Sequence, residues 1–368
     1  MALSRGPVLV VEDDRFLRIV SILLDPTTPT ERITAFADFF AHDERDFEGY
    51  CKRVRARAPA LYPAQVRLVN STNQMRLQLP GSEILIVESL PVGRDELDIG
   101  RNLVAVQKFG SQPRNIDMHA CATHNVKVLT IRRRANIACA EVAFALMLTL
   151  AKKLHRLTNR ISAEQLARVG YSYKPFDRRH TPNSNWARIT GLRMLNESTI
   201  GIIGMGGEIG REIASRAAAF GMRILYFQRT RLSADDERAF QATYVPLSRL
   251  LAESDWVVPQ LPEGPATKGL IDQARIAQMK AGACLINVSR ADVVDRTALI
   301  AALKSGRLGG FALDPLYEEP GLSDDELLKF DNVVMLPHIA GSPRFNALND
   351  LADMMENLSN VLAERKRA

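Results

Sequence analysis

The chain has 368 residues, of which 46% are hydrophobic and 24% are charged, and its formal net charge is +6. This composition is ordinary for a globular protein, and the length is sufficient for two domains. The longest apolar stretch, residues 138–151, is interrupted by Glu141 and is shorter than the roughly 18 residues of a membrane span, so we expect no membrane partner. The N-terminus lacks a signal-peptide core, and the four cysteines show neither metal nor redox spacing. We therefore expect a cytoplasmic protein without a metal site.

Basic clusters accompany the positive net charge, at residues 52–57, 132–134 and 365–367. None is interleaved with aromatic residues or belongs to a recognised nucleic-acid-binding module, so we expect no nucleic-acid partner. The first cluster is predicted to be the solvated face of a helix. The second could attract an anionic ligand through its field.

The first third of the chain predicts a parallel α/β unit. Apolar runs at residues 8–11, 84–87 and 104–107 are typical of strands, and residues 30–41 and 45–57 between them predict two helices. The apolar residues of the first helix, which follow helical spacing, are Ile33, Phe36, Phe39 and Phe40. This two-helix insert lines a pocket or packs at a subunit contact, and we favour the second.

A strand, a glycine turn and a helix follow one another from residue 199 to residue 220. The turn reads Gly204-Met-Gly206-Gly207-Glu208-Ile209-Gly210, and a second strand is predicted at residues 223–227. Glycines at such a turn let the backbone approach a pyrophosphate, which the helix N-terminus also attracts, so the pattern predicts dinucleotide binding. The turn has one residue more than Gly-x-Gly-x-x-Gly. Either Gly204 and Gly206 keep the first two roles, or Gly207 and Gly210 keep the last two.

The end of the second strand bears on the choice of dinucleotide. An acidic residue there favours NAD by binding the ribose 2′-hydroxyl, whereas an arginine accommodates the 2′-phosphate of NADP. This chain has Gln228 followed by Arg229 and Arg231. We therefore favour NADP slightly over NAD, with a basic loop that tolerates either cofactor as the alternative.

Three polar residues follow three further apolar runs in the last third of the chain. Arg290, Glu319 and His338 come after the runs at residues 283–286, 310–313 and 332–336, which predict buried parallel strands. Ligands of open α/β sheets bind outside the carboxyl ends of the strands, so these side chains are expected in one crevice. A fixed cation, a carboxylate and a histidine together suit proton transfer to or from an anionic substrate.

With these motifs, residues 103–362 resemble the D-isomer-specific 2-hydroxyacid dehydrogenases, which include glyoxylate and hydroxypyruvate reductases. The resemblance implies reversible, NAD(P)H-dependent reduction of a small 2-oxo acid to a D-2-hydroxy acid. It implies that Arg290 binds the substrate carboxylate and carbonyl, that His338 is the acid/base, and that Glu319 orients His338. The expected fold is α/β with two domains. A flavodoxin-like substrate domain covers residues 1–134 and 335–368, and a Rossmann-type doubly wound parallel sheet covers residues 135–334.

The resemblance also implies further contacts with cofactor and substrate. Besides Gly204, Gly206, Gly207, Glu208, Ile209, Gly210, Gln228, Arg229 and Arg231, the cofactor residues are Pro262, Thr267, Val288, Ser289, Asp314 and Gly341. Asp314 is expected to contact the nicotinamide carboxamide. Ser89, Gly110 and Ser111 are expected to bind the substrate carboxylate together with Arg290 and His338. Glu88 is a poor neighbour for a carboxylate, so ordinary loop structure at residues 88–91 is an equal expectation.

Some residues depart from the family pattern. Ala291 and Val142 replace a usual glycine and a frequent histidine, and Pro259 lies within a predicted strand, where it is expected to mark the C-terminal end. Two alternatives therefore stay open: a dinucleotide-sensing binding protein on the same fold, and a specialised activity on an unusual substrate. The long segment at residues 162–185, predicted to be a loop, suggests a homodimer by analogy with relatives.

Overall fold

The computed structural model describes residues 6–367, and the chain forms two compact units. Unit 1 comprises Met1–Asn136 and Ser342–Ala368, and unit 2 comprises Ile137–Gly341. Residues 335–341, which are predicted from the sequence to belong to the same domain as residues 1–134, lie in unit 2. The reason is that this segment continues the sheet of unit 2: the amide of Leu336 donates to the carbonyl of Leu313 at 2.9 Å, and the amide of His338 to that of Asp314 at 3.0 Å.

Unit 1 is built on a five-stranded sheet with the strand order β2-β1-β3-β4-β5. The strands are β1 (Val8–Glu12), β2 (Gln65–Val69), β3 (Ile84–Val87), β4 (Ala105–Lys108) and β5 (Lys127–Leu129). All the pairings are parallel. This is the order of flavodoxin-like sheets, and it confirms the predicted fold class. Strands β2 and β5 are not among the strands predicted from the sequence.

The helices of unit 1 cover this sheet. They are α1 (Ile19–Leu24), α2 (Thr30–Phe40), α3 (Phe47–Arg57), α4 (Thr72–Gln78), α5 (Arg94–Ile99), α6 (Met118–Thr123) and α15 (Phe345–Arg367). Helices α2 and α3 are the two predicted for the insert. Tyr50 of α3 is buried, and its hydroxyl donates to the carbonyl of Leu348 in α15 at 2.7 Å. The insert therefore contributes to the core of its own unit.

The basic cluster of α3 is not simply a solvated face. The guanidinium of Arg55 donates to the carbonyl oxygens of Leu23 at 2.8 Å and of Ile22 at 3.0 Å, which belong to α1. Arg57 donates to Asp353 of α15 at 3.1 Å. These two arginines are used inside the unit, because they satisfy the last carbonyl groups of one helix and join another to the insert.

Unit 2 is built on a seven-stranded parallel sheet with the order β12-β11-β10-β9-β6-β7-β8. Its strands are β6 (Thr199–Ile203), β7 (Arg223–Phe227), β8 (Ala242–Tyr244), β9 (Trp256–Pro259), β10 (Cys284–Asn287), β11 (Gly310–Leu313) and β12 (Val333–Met335). Counted from β6, this is the Rossmann order with one strand added, as predicted. Pro259 is the last residue of β9, which confirms the expectation that it marks the end of the strand.

The helices that accompany this sheet are α7 (Arg134–Ala151), α8 (Leu154–Leu157), α9 (Ala163–Ala167), α10 (Glu208–Ala219), α11 (Ala234–Phe240), α12 (Leu247–Glu253), α13 (Gln273–Gln278) and α14 (Arg296–Lys304). Helix α9 lies in the segment predicted to be a loop, and Ser162 caps it by accepting from the amide of Gln165 at 3.2 Å. Among residues 6–367, α7 is the one helix long and apolar enough to cross a membrane. Ala140, Ala143 and Met147 of α7 are buried in the core of unit 2, as expected for an internal helix.

The glycine turn between β6 and α10 distinguishes the two spacings that the sequence left open. Gly204 has a φ of +89°, and a Cβ there would lie 2.3 Å from the carbonyl oxygen of Gln260. A Cβ at Gly210 would lie 2.7 Å from the Cα of Met205, whereas one at Gly207 would meet only the carbonyl oxygen of Gly204, at 3.5 Å. Gly204 thus makes the tight turn. Gly207 and Gly210 take the last two roles, because Gly207 leaves the N-terminus of α10 open and Gly210 allows close packing. The extra residue lies before Gly207.

This geometry predicts that Gly204→Ala destabilises unit 2 and that Gly207→Ala does not. The left-handed backbone at Gly204 costs a residue with a Cβ about 1–2 kcal/mol, and the contact with Gln260 adds to that. Urea unfolding followed by tryptophan fluorescence reports on unit 2, because it holds both tryptophans, Trp186 and Trp256. Equal midpoints for the two variants, measured without cofactor, would contradict the assignment.

Candidate active site

Arg290 follows β10 in a turn that the side chain of Asn287 holds. Asn287 is fully buried, and its side-chain amide donates to the carbonyl oxygen of Arg290 at 2.8 Å. Its side-chain oxygen accepts from the amide of Ser289 at 3.0 Å and from the hydroxyl of Ser289 at 2.9 Å. Asn287 is not among the site residues predicted from the sequence. The available signal was a polar residue at the end of an otherwise apolar strand.

The side chain of Arg290 is 51% exposed. One guanidinium nitrogen donates to the carbonyl oxygen of Ser289 at 2.7 Å. Its Nε lies 3.7 Å from a carboxylate oxygen of Glu263, whose side chain is 73% exposed. Exposed ion pairs of this kind contribute little energy, so an anionic ligand can compete with Glu263 for the guanidinium.

The backbone of His338 is held by Asp314, which comes directly after β11. Asp314 is only 1% exposed, and its two carboxylate oxygens accept from the amides of Ile339 at 2.8 Å and Ala340 at 3.0 Å. Burial raises the pKa of Asp314, and these two hydrogen bonds oppose that shift. His338 has a φ of +55°, a conformation that persists only where the surroundings impose it. The resemblance implied that Asp314 contacts the nicotinamide. In the structure its carboxylate anchors the histidine segment, and its contact with the nicotinamide stays a prediction.

The side chains of His338 and Glu319 form a direct pair. Nδ1 of His338 lies 2.8 Å from Oε1 of Glu319 and 3.0 Å from Oε2. Because a carboxylate only accepts, Nδ1 must carry the proton, which leaves Nε2 for another partner. The hydrogen bond with His338 is the main cause that lowers the pKa of Glu319. Glu319 is therefore ionised at neutral pH. The pair with His338 is lost only when the pH falls below the usual range of the glutamate pKa.

Arg290, Glu319 and His338 all follow strands that are neighbours in the sheet, since β11 pairs with both β10 and β12. The charge of Arg290 contributes to the lowered pKa of Glu319, so the two groups are electrostatically coupled. The three predicted side chains thus share one edge of the sheet of unit 2. Among residues 6–367, no cluster of three or more His, Cys, Asp or Glu side chains could hold a metal ion.

The turn at residues 204–210 fits the pyrophosphate of a dinucleotide, because its backbone leaves the N-terminus of α10 open. Glu208 is the first residue of α10, and Ile209 packs, partly buried, against the core of unit 2. The amide of Gly206 is engaged: it donates to the side-chain oxygen of Gln228 at 2.6 Å. The side-chain amide of Gln228 in turn donates to the carbonyl oxygen of Thr230 at 2.5 Å.

The two arginines after β7 differ in their surroundings. The Nε and one terminal nitrogen of Arg231 each lie 2.8 Å from a carboxylate oxygen of Glu237. The hydrogen bond from Arg231 is the main cause that lowers the pKa of Glu237 to about 2, and the hydroxyl of Tyr226 also donates to this carboxylate, at 2.5 Å. Arg229 is exposed and makes no ion pair with a residue in the range 6–367. Of the two predicted cofactor arginines, Arg231 is therefore committed to a protein carboxylate.

The other predicted cofactor residues differ in burial and in hydrogen bonding. Val288 is 5% exposed in the core of unit 2, and its contact with the cofactor stays a prediction. Ser289 is tied to Asn287, as described above. The hydroxyl of Thr267 donates to the carbonyl oxygens of Pro262 at 2.6 Å and Gly264 at 3.0 Å, which closes their loop. A Cβ at Gly341 would meet nothing within 4 Å.

The predicted substrate residues of unit 1 have hydrogen-bond partners within the chain. Both the amide and the hydroxyl of Ser89 donate to the carboxylate of Glu12, at 2.8 and 2.5 Å. The contact of Ser89 with substrate stays a prediction. The carbonyl of Gly110 accepts from the amide of Ile131 at 2.9 Å. The hydroxyl of Ser111 accepts from the side chain of Gln112 at 3.5 Å.

Comparisons with known proteins agree with this fold. The family model described as the NAD binding domain of D-isomer specific 2-hydroxyacid dehydrogenases matches residues 144–340. A glyoxylate reductase of Pyrococcus horikoshii is 38% identical over 252 residues, which are 68% of this chain and 70% of that protein. A glyoxylate reductase of Pyrococcus furiosus is 37% identical over the same shares of the two chains.

Among solved structures, the holo form of D-mandelate dehydrogenase from Rhodotorula graminis superposes with a TM-score of 0.55 over 96% of this chain and 93% of that one. Its sequence identity is 22%, so this likeness shows the fold alone. The parallel sheets, the glycine turn and the matches in sequence lead to one conclusion. The chain belongs to the family of D-isomer specific 2-hydroxyacid dehydrogenases, enzymes that use NAD(H).

Proposed function

We propose that this protein reduces a small 2-oxo acid to a D-2-hydroxy acid, reversibly, with NADPH or NADH, and that glyoxylate and hydroxypyruvate are its first candidate substrates. The observation that carries the proposal is the 2.8 Å pair between His338 and Glu319 at the sheet edge that also bears Arg290. The similarity to two glyoxylate reductases supports the choice of substrates.

The roles of the residues follow from their chemistry. The nicotinamide, when bound, supplies the hydride to the carbonyl carbon. Glu319 keeps Nδ1 of His338 occupied, so that Nε2 is the atom that delivers the proton to the carbonyl oxygen. The planar guanidinium of Arg290 binds the substrate carboxylate through two hydrogen bonds and stabilises the charge that develops on the oxygen.

This mechanism predicts that His338→Ala loses turnover and keeps the cofactor. A positioned general acid contributes about 10²–10⁴ to the rate, so kcat in a 340 nm assay with glyoxylate or hydroxypyruvate should fall by that factor. The dissociation constant for NADPH, from protein fluorescence quenching, should stay within about twofold of the wild-type value, because one exposed imidazole adds little to dinucleotide binding.

A matched control is His155→Ala. His155 also lies in unit 2, where its Nε2 bonds to the carbonyl oxygen of Asp331 at 2.8 Å, outside the described site. Normal turnover of His338→Ala would refute the catalytic role. Tight cofactor binding by the wild-type protein without turnover of any 2-oxo acid would instead favour a dinucleotide sensor.

We further propose that NADPH is preferred over NADH and that Arg229 is the residue that binds the 2′-phosphate. Gln228 brings no negative charge to the end of β7, so nothing in that position repels a phosphate. The neutralisation of Arg231 by Glu237 leaves the exposed guanidinium of Arg229 as the cation for the phosphate.

Arg229→Ala should raise the KM for NADPH about tenfold or more, because a charged hydrogen bond to phosphate contributes about 1.5–3 kcal/mol. The KM for NADH should not change. Arg231→Ala is the matched control, since it removes a cation of equal charge two positions away. Steady-state kinetics with both cofactors check this, and equal effects of the two variants on NADPH would disprove the assignment.

A further inference from the structure

Three consecutive backbone amides of unit 1 converge on one side chain. The amides of Glu88, Ser89 and Leu90 donate to Oε2 of Glu12 at 2.7, 2.8 and 3.0 Å, and the hydroxyl of Ser89 donates to Oε1 at 2.5 Å. Glu12 is 8% exposed. A run of backbone amides that point at one place forms a concave site that favours an anion. We call residues 88–90 the amide nest.

The position of the amide nest in the fold is that of a ligand site. Glu12 ends β1, and the nest follows β3, which pairs with β1. The strand order β2-β1-β3 reverses at this point, so the nest lies at the topological switch point of the sheet. Ligands of doubly wound sheets bind outside the strand ends at this point.

We propose that the amide nest is a carboxylate-binding site that the chain fills with its own Glu12, and that Glu12 thereby helps to position the neighbouring turn at residues 110–113, which is predicted to bind substrate. This rests on the proposed function. In this assignment the three amides of the nest bind Glu12 and not the substrate, so the substrate carboxylate must be bound by the other predicted groups. Glu12 touches neither substrate nor cofactor in this assignment and is a positioning residue.

The other polar groups of this loop show how the effect of Glu12 reaches the predicted substrate turn. The buried ammonium of Lys108 donates to the carbonyl oxygen of Glu88. The side chain of Asn115 donates to the carbonyl oxygen of Leu90 at 2.7 Å, and the amide of Val92 donates to the carbonyl oxygen of Asn115 at 2.8 Å. The nest is thus joined to the segment that directly follows residues 110–113. Removal of the carboxylate would leave three amides without their acceptor and loosen both segments.

The test replaces the missing carboxylate from solution. Glu12→Ala should bind formate in the vacated nest, so sodium formate should raise its thermal unfolding midpoint by about 2–4 °C relative to sodium chloride at equal ionic strength. The wild-type protein and Asp13→Ala should show no such difference. Asp13 is the adjacent acid, and it pairs with Arg18 at the surface at 3.0 Å. A formate effect equal in all three proteins, or absent from all three, would overturn the proposal.

Steady-state kinetics distinguish a positioning role of Glu12 from a role in stability alone. Glu12→Ala should raise the KM for the 2-oxo acid about tenfold while kcat stays within about twofold, and formate should restore part of the loss. Glu12→Gln keeps an oxygen that can accept from the three amides, so its KM should stay close to that of the wild-type protein, and it serves where Glu12→Ala does not fold. A tenfold increase of KM in Glu12→Gln would overturn the proposal. If the wild-type protein turns over no 2-oxo acid, the proposed function is wrong. The thermal unfolding experiment still tests whether the nest binds a carboxylate.

Discussion

The structure depends on polar side chains, buried at the ends of parallel strands, that accept hydrogen bonds from the backbone of a nearby loop. Asp314 does this for Ile339 and Ala340, and Glu12 does it for the amide nest at residues 88–90. Asn287 does the same at shorter range for Ser289. A parallel sheet leaves the loops at its carboxyl edge without ladder partners, and buried backbone amides must find acceptors. In both units these side chains provide them.

This arrangement separates the groups that hold the site from those that act. Asp314 and Asn287 are almost completely buried, whereas the side chains of Arg290 and His338 are about half exposed, at 51% and 50%. A buried acceptor that is hydrogen-bonded to the backbone fixes that backbone, including the left-handed conformation of His338. An exposed donor on this fixed backbone can bind a ligand without rearrangement of the backbone. Such preorganised donors are what stabilises the charge of a transition state.

The parts of the fold that could be predicted from sequence are those with a local physical signal. The strands at residues 84–87, 223–227 and 310–313 were predicted with the bounds that the structure has, because strands buried on both faces read as continuous apolar runs. Strand β2 gave no such signal, since Val69 is its one buried residue. The contact between Glu12 and residues 88–90 spans 76 positions in the chain, and a glutamate after a strand carries no local sign of that partner.

Arg229 and Arg231 show that the sequence also does not reveal which charged side chains are paired with each other. The sequence presents two equal cations two residues apart. Helix α11 places Glu237 against Arg231, and the hydrogen bond between them lowers the pKa of Glu237 to about 2, so that carboxylate stays ionised throughout the range in which the enzyme would work. A neutralised guanidinium attracts a phosphate far less than a free one, because the field of the neighbouring carboxylate opposes it. In the proposed selection of NADPH, helix packing therefore matters as much as the number of arginines.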